Sequence, residues 1–122
     1  MNVSTEHRID VVDVTELVES ELPAVDHGLC TVFVEHTTAA LSINEAEPHL
    51  VDDIEAFVAE LSASDGWKHD ALDGNADSHL RSSLFGRSVC VPIRDGKLAL
   101  GTWQSILLIE CDGPRTRSLS VT

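Results

Sequence analysis

The chain has 122 residues and a mass of 13.2 kDa. This length supports one domain with a core of its own, predicted over residues 1–122, and excludes a (β/α)₈ barrel, which needs roughly 200 residues or more. There are 21 acidic residues against 8 basic ones, giving a net charge of −13 at pH 7. A protein that binds nucleic acid without sequence preference needs a basic surface, so we expect no nucleic-acid partner.

Membrane and export signals are not visible in the sequence. No run of about 18 apolar residues occurs, and the first six residues lack the basic and apolar regions of a signal peptide. We therefore expect a cytoplasmic protein with no membrane partner. The acidic excess, with Lys68 and Lys97 as the only lysines, predicts a halophilic source, and an ordinary acidic cytosolic protein is the alternative. Stability that increases from dilute buffer to molar KCl would support the first.

Two stretches have the clearest periodic patterns. After Pro48, apolar residues recur at helical spacing and acidic residues lie mostly on the other side, which predicts an amphipathic helix over residues 48–61. Residues 29–35 are largely apolar at both alternating sets of positions, which predicts a central strand rather than an edge strand. The sequence Arg94-Asp95-Gly96 is typical of a tight hairpin turn.

The other predicted elements are shorter and set the fold class. Further strands are predicted at residues 8–14, 39–43, 88–93, 97–100, 106–111 and 117–121. Short helices are predicted from residue 13 or 15 to 22, with Leu17, Val18 and Leu22 buried, and from residue 75 or 77 to 85, with a loop over 62–75. Because hairpin signals outnumber regular βαβ alternation, we predict an α+β fold. Its mainly antiparallel sheets would form a sandwich-like body with a few helices packed on it.

The three cysteines give no sign of a reactive site. Cys30, Cys90 and Cys111 each lie in an apolar, strand-like run and have no C-x-x-C spacing, so we expect small buried side chains. The sequence also contains no glycine-rich phosphate loop and no nucleophile elbow around a serine or cysteine.

Three histidines are the first candidates for chemistry. His36, His69 and His79 each lie beside polar residues at a strand end, in the long loop or at the start of a helix. Neutral imidazole is a common zinc ligand, and three ligands plus an open position make a catalytic metal site. The gaps of 33 and 10 residues match no local metal motif. The histidines are therefore either ligands of a divalent metal (zinc or similar, with magnesium or manganese as alternatives) or acid–base groups.

Carboxylates, one arginine and the tryptophans are the next candidates. Glu45 ends a strand, and Glu110 interrupts an apolar run, where it needs a partner such as Arg115 or Arg117. A subunit-contact ion pair and a site role are both open for Glu110. The guanidinium of Arg115 is well shaped to hold a phosphate. Trp67 favours core or interface packing over a pocket wall, and for Trp103 pocket wall and core are equally open.

Several motifs, taken together and in order, carry a resemblance. The segments H-T-T-A-A-L-S-I-N-E, W-K-H-D, N-A-D-S-H-L, L-A-L-G-T-W-Q-S-I and E-C-D-G-P-R resemble the YjbQ-like family, also called secondary thiamine-phosphate synthases. The resemblance covers about residues 28–121. It implies an α+β fold, a homotrimer and weak thiamine-phosphate synthase activity on small phosphorylated substrates. The polar residues that it assigns to the site are His36, Thr37, Asn44, Glu45, His69, Asn75, His79, Trp103, Gln104, Glu110, Asp112 and Arg115, with Thr38 beside them.

Two functional readings follow. In the enzyme reading, the three histidines are metal ligands or acid–base groups, the two glutamates Glu45 and Glu110 are bases or orienting groups, and Arg115 binds phosphate. In the binding reading, the same pocket holds a metal or a phosphorylated metabolite without turnover. A third reading, in which these polar residues only join the subunits, is weaker because they concentrate at loops and strand ends.

Overall fold

A computed structural model describes all residues from 1 to 122 and contains eight strands and three α-helices. The strands are β1 Asn2–Ser4, β2 Asp10–Asp13, β3 His27–Val34, β4 Ala39–Asn44, β5 Ser88–Arg94, β6 Lys97–Leu98, β7 Ser105–Glu110 and β8 Thr116–Val121. The helices are α1 Thr15–Ser20, α2 Pro48–Glu60 and α3 Ala76–Ser83, with a 3₁₀ helix at Lys68–Ala71.

The strands form two antiparallel sheets that face each other. One sheet has the strand order β1-β8-β3-β5-β6 and the other has β2-β7-β4. Val32 of β3 and Leu119 of β8 pack with Leu41 of β4 and Leu108 of β7 in the largest buried cluster. The α+β fold with a sandwich-like body and helices packed on it is therefore confirmed.

Strand β7 is covered on both sides and marks the middle layer of the molecule. Its apolar residues alternate between the core that the two sheets share and a second cluster, where Ile109 packs with Ala40, Val58 and Cys111. Helix α2 supplies Val58 to that cluster and so covers the outer side of the small sheet. Burial on both faces requires a continuous apolar run, which is what residues 106–109 provide.

The predicted helix after Pro48 is confirmed, with a narrower buried stripe than expected. Glu47 caps it, since its carboxylate accepts a hydrogen bond of 2.8 Å from the backbone N–H of Leu50. Val58 is its only fully buried residue, whereas Phe57 is 58% exposed. None of the helices has the length and apolar character needed to cross a membrane.

Strand β3 is central, as predicted, because it lies between β8 and β5. Its two faces differ in burial within one chain. Cys30, Val32 and Val34 face the core, while Leu29 is 66% and Phe33 is 45% exposed on the opposite face. The large sheet therefore has an open outer face with apolar side chains.

Several local predictions need correction. Cys90 is exposed rather than buried, since β5 turns it to the outer face of the large sheet. Leu17 is also exposed, because α1 turns only Val18 fully into the core. Strand β1, which pairs with β8, was not predicted, and the first predicted strand is shorter than residues 8–14.

Burial raises the pKa of the Cys111 thiol to about 12, which rules out a ready thiolate there.

Candidate functional site

Three connections meet at one end of the sandwich and enclose a polar cleft of about 680 Å³. They are the segment between β3 and β4, the segment between β7 and β8, and the start of α3. We call this space the polar cleft. It is lined by Glu35, His36, Thr37, Thr38, Asp73, Asn75, His79, Asp112, Pro114, Arg115, Thr116 and Arg117. Apart from one proline, every lining side chain is polar or charged, which suits a small hydrophilic ligand.

A buried ion pair holds the floor of the cleft in place. Glu110 at the end of β7 is fully buried and pairs with Arg117 of β8, whose Nε donates a hydrogen bond of 2.8 Å. The carboxylate also accepts bonds from the Thr5 hydroxyl at 2.7 Å and the Asp112 N–H at 3.0 Å. Arg117 in turn donates to the Thr38 hydroxyl at 2.8 Å. The pair therefore ties together both connections that line the cleft.

The protonation state of Glu110 follows from these contacts. Burial alone would raise its pKa, but the hydrogen bonds from Arg117, the Asp112 N–H and Thr5 hold the pKa below its ordinary value of 4.5. Glu110 is therefore an anion whose oxygens are already occupied by protein donors. This geometry gives Glu110 a positioning role for Arg117, Thr5 and the segment after β7.

His36 is held in one tautomer by a backbone contact. Its Nε2 accepts a hydrogen bond of 2.8 Å from the Ser118 N–H, so the ring is neutral and its proton lies on Nδ1. Burial and the nearby Arg117 guanidinium lower the pKa of His36 below its ordinary value of 6.5, which agrees with a neutral ring. His36 therefore offers the cleft an N–H donor rather than a free lone pair.

At the rim of the cleft, Arg115 is oriented by Asp112. The Arg115 Nε donates to the Asp112 carbonyl at 2.8 Å and Nη2 donates to its carboxylate at 3.0 Å, while Asn75 Nδ2 reaches the same carboxylate at 2.9 Å. Burial opposes ionisation of Asp112, but the bonds from Asn75 and Arg115 hold its pKa below the usual value. The Arg115 side chain is about half exposed, and its Nη1 has no partner within the chain. It is the guanidinium group of the cleft most available to an anion.

A second cavity of about 590 Å³ lies against the first and shares His79 with it. We call it the aromatic cavity, and it is lined by Gly66, Trp67, Lys68, His69, Ala76, His79 and Leu80. The His69 and His79 rings meet edge to face with centroids 4.9 Å apart and planes at 87°. His79 thus stands on the boundary between a polar and a more apolar space.

Comparison with known proteins establishes the family. The family model described as "UPF0047 protein YjbQ-like" matches residues 1–122. The chain belongs to the UPF0047 (YjbQ-like) family. A UPF0047 protein of Archaeoglobus fulgidus is 49% identical over 122 residues, which cover 99% of this chain and 96% of that relative. The YugU protein of Bacillus subtilis is 36% identical over 124 residues, which cover 97% of this chain and 92% of YugU.

Solved structures of the same family agree with the fold. A hypothetical protein of Aeropyrum pernix K1 superimposes with a TM-score of 0.94 at 46% identity, covering all of this chain and 93% of that one. A YbjQ-like protein of unknown function from Sulfolobus solfataricus P2 gives a TM-score of 0.92 at 40% identity, covering 99% and 91%. The predicted resemblance to the YjbQ-like family is therefore confirmed.

The fold brings many of the predicted site residues together. His36, Thr37, Thr38, Asn75, His79, Asp112 and Arg115 all line the polar cleft. Glu110 lies directly beneath it through its bond to Arg117. His69 does not line it but contacts two residues that do, His79 and Asp73. Trp67 lines the aromatic cavity and is 43% exposed, so it does not pack in the core of the chain, and interface packing stays a prediction.

Four predicted residues lie elsewhere, namely Asn44, Glu45, Trp103 and Gln104. Strands β4 and β7 pair from Ala39 with Glu110 to Asn44 with Ser105, so the far end of this pair is about 17 Å from the cleft end at 3.4 Å per residue. The polar atoms there bond locally, as in the 2.8 Å bond from the Gly101 N–H to Gln104 Oε1. Trp103 is 73% exposed, so it is not part of the core, and it lines neither the polar cleft nor the second cavity.

The three histidines predicted as metal ligands do not converge within one chain. No group of three or more His, Cys, Asp or Glu side chains is arranged to hold a metal ion. His36 Nε2 is already engaged by Ser118, and only His69 and His79 touch each other. The three histidines of one chain therefore do not together form a metal centre.

Some residues of the cleft were not predicted as site residues. Arg117 was expected only as a partner of Glu110, while Thr5, Glu35 and Asp73 were not singled out. A charged residue within the apolar pattern of β8 was the available signal for Arg117. Thr5 carried no such signal, because its contact with Glu110 spans 105 positions of the sequence.

Proposed function

We propose that the polar cleft binds a small phosphorylated metabolite and that the protein is an enzyme of the thiamine-phosphate synthase type. The observation that carries this proposal is the set of donors at one end of the cleft. Arg115 offers a partly exposed guanidinium, His36 offers an Nδ1–H, and Thr37 and Thr116 offer hydroxyl groups. Donors of this kind hold phosphate oxygens.

The reaction joins a hydroxymethylpyrimidine diphosphate to a thiazole phosphate. The ring nitrogen of the thiazole forms a bond to the methylene carbon, the bond from that carbon to the diphosphate oxygen breaks, and the diphosphate leaves with the electron pair. The residues of the cleft contribute by binding and orienting the two substrates and by stabilising negative charge on the leaving group. We expect His79, which lines both cavities, to donate a hydrogen bond to a departing phosphate oxygen.

Ligand binding without this turnover is the second candidate. A specific observation favours it: Arg117 is neutralised by Glu110, while Glu35, Asp73 and Asp112 add negative charge to the cleft. A departing diphosphate carries several negative charges and is usually met by a metal ion or several cations. A single available guanidinium is enough for one phosphate group.

Turnover assays on matched variants separate the two candidates. Thiamine phosphate formation from both substrates is measured for the parent, Arg115→Gln and His79→Asn, with His27→Asn as the control because His27 is exposed and lines neither cavity. We expect kcat/KM to fall by at least about tenfold in the first two, which corresponds to about 1.4 kcal/mol of transition-state stabilisation. Phosphate-ligand binding with no product in the parent would support the binding candidate.

The divalent metal that the resemblance implies stays a prediction. Elemental analysis of protein purified without a metal-affinity tag tests it, together with assays before and after addition of zinc, magnesium or manganese. If a metal is found, its ligands must include groups beyond the three histidines of one chain, since these do not converge. The cytoplasmic location and the halophilic source also stay predictions.

We also propose that the protein assembles as the homotrimer that the resemblance implies. The outer face of the large sheet supports self-association, because Leu29 and Phe33 are exposed there beside Cys90 and Pro92 on the neighbouring strand. Contiguous exposed apolar side chains of this kind usually mark an interface. Light scattering during size-exclusion chromatography should give about three times the 13.2 kDa chain mass. A Leu29→Glu variant should shift the assembly towards monomers.

A further inference from the structure

The aromatic cavity has the size and lining of a small-molecule site. Its volume of about 590 Å³ falls within the 300–1,000 Å³ range of ligand pockets. Its walls include the indole of Trp67, the side chain of Leu80 and the rings of His69 and His79. It lies beside the polar cleft, and the His79 side chain lines both spaces.

The tryptophan wall is fixed in place rather than mobile. Trp67 Nε1 donates a hydrogen bond of 2.9 Å to the Ala63 carbonyl, and the Trp67 N–H donates to Asp70 at 3.1 Å. Asp70 also accepts a bond of 3.3 Å from the Ala76 N–H at the start of α3. These bonds hold the indole over the cavity although 43% of the residue remains exposed. A rigid, exposed aromatic surface favours ligand binding, because little side-chain entropy is lost when a flat group stacks on it.

The opposite wall has an unsatisfied polar atom. His69 Nε2 is buried but makes no hydrogen bond within the chain, and the nearest acid oxygen, on Asp73, is 3.6 Å away. A buried polar atom without a partner is unfavourable, typically by about 1–3 kcal/mol, and this favours a ligand or water that bonds to it. An aliphatic ligand would leave this atom unpaired. A nitrogen-containing ring would satisfy it and would also stack on Trp67.

We propose that the aromatic cavity binds the planar nitrogen heterocycle of the ligand whose phosphate lies in the polar cleft. The inference rests on the proposed phosphate site and names the second half of its ligand. In this arrangement, Trp67 and Leu80 contact the ring faces, His69 Nε2 bonds to a ring nitrogen or amine, and His79 lies near the linker between ring and phosphate. Specificity for the heterocycle then comes from the aromatic cavity and affinity for phosphate from the cleft.

Two phosphates that differ in the presence of an aromatic ring test this inference. Hydroxymethylpyrimidine phosphate contains a nitrogen heterocycle, whereas ribose 5-phosphate has none. We expect the pyrimidine compound to bind at least about tenfold more tightly by calorimetry. It should also change the tryptophan fluorescence of the parent protein, and this change should be absent in the Trp67→Phe variant.

Matched leucine variants identify the cavity. Leu80→Gln places an amide in the aromatic cavity, whereas Leu84→Gln makes the same change at an exposed position after α3 that lines neither cavity. We expect Leu80→Gln to weaken binding of the pyrimidine compound by at least about fivefold and to leave binding of ribose 5-phosphate unchanged. Leu84→Gln should leave the binding of both compounds unchanged. Equal affinity for the two phosphates, no fluorescence change, or no effect of Leu80→Gln would overturn the inference.

The failure of this inference is distinguishable from failure of the proposed reaction. If the pyrimidine compound binds at Trp67 but no thiamine phosphate forms, the proposed transferase activity is wrong and the ring site stands. If thiamine phosphate forms and Leu80→Gln leaves the KM for the pyrimidine substrate unchanged, the reaction stands and the ring site is wrong. Circular dichroism of each variant establishes that the fold is intact.

Discussion

The two ends of the β4–β7 strand pair carry residues of the same family motifs but are built differently. At the cleft end, Glu110 bonds to Arg117 and Thr5, which lie far away in the sequence or in the other sheet. We call the opposite end of the pair, where Asn44 pairs with Ser105, the open end. The side chains of Asn44 and Gln104 there bond only to nearby backbone N–H groups. The first end is organised by contacts within one chain, whereas the second presents polar and aromatic groups to its surroundings.

The difference shows what a buried charge pair does in this fold. Burying two charges is costly, so the Glu110–Arg117 pair is a weak source of net stability compared with apolar packing. Its effect is geometric, because it fixes the Thr38 segment and the Asp112 segment on either side of the cleft. The open end has no comparable buried pair, and its polar side chains bond only to nearby backbone groups.

The largest expected effect comes from breaking this pair. Glu110→Gln leaves the Arg117 guanidinium buried without its counter-ion, so we expect the free energy of unfolding to fall by about 3–5 kcal/mol. Urea unfolding monitored by circular dichroism measures the change. The double variant Glu110→Leu/Arg117→Met removes both charges and should recover much of the loss while ligand binding stays weak. If Glu110→Gln were as stable as the parent, the ion pair would not organise the cleft end.

The next largest effect on stability is expected when a glycine at the cleft end is replaced, and a glycine at the open end serves as the comparison. A Cβ at Gly113 would lie 2.1 Å from the His7 carbonyl oxygen, whereas a Cβ at Gly101 would meet only the flexible Gln104 side chain at 3.3 Å. Gly113→Ala should therefore destabilise the protein by about 1–3 kcal/mol or prevent folding. Gly101→Ala should change the stability by less than about 0.5 kcal/mol. Thermal unfolding of the two variants measures the contrast, and equal melting temperatures would contradict it.

A smaller effect depends on pH and on His36. Its pKa is below 6.5 in the folded protein, so the unfolded chain binds more protons as the pH falls below about 6.5. The stability that His36 contributes is therefore present above pH 6.5 and is lost as the pH falls through its folded pKa. Glu110 and Asp112, whose pKa values are also lowered, make the same kind of contribution in a lower window that begins near pH 4.5 and pH 3.8.

Measurements of the free energy of unfolding at several pH values isolate the contribution of His36. His36→Gln keeps an acceptor for the Ser118 N–H but cannot take up a proton. We expect the variant to lose less stability than the parent between about pH 7 and pH 5, since the folded pKa of His36 lies below its ordinary value of 6.5. His27→Gln, at an exposed position, is the control and should keep the slope of the parent. An unchanged slope in His36→Gln would show that this ring is not held neutral.

Local patterns in the sequence were sufficient for most of the fold. Helical spacing found α2, apolar alternation found β3, and an Asp-Gly turn found the hairpin of β5 and β6. They also predicted a partner for Glu110 in Arg115 or Arg117, because a charge in an apolar strand needs one, and the structure shows that the partner is Arg117. Strand β1 was missed because its three residues have little pattern and pair with a strand more than 100 positions away.

The site was harder to predict because strand direction decides which motif residues meet. His36 and Glu45 lie close together in the sequence, but β4 runs between them and carries Glu45 to the opposite end. The exposure of Trp67 and Cys90 depends on loop placement and on which sheet face is covered, and neither is encoded in local periodicity. A motif therefore identified residues of the family without locating them relative to one another.

The smallest expected change in stability is at the open end. Trp103→Ala should alter the free energy of unfolding by less than about 0.5 kcal/mol, because the indole is 73% exposed and makes no hydrogen bond. We expect Trp103→Ala to have a larger effect on catalysis and to raise the KM for the phosphorylated substrates severalfold. Since about 17 Å separates this end from the cleft of the same chain, Trp103 reaches a ligand only if a second subunit places it there. A changed KM with unchanged stability would therefore put the complete site between subunits. An unchanged KM would leave the polar cleft of a single chain as the whole site.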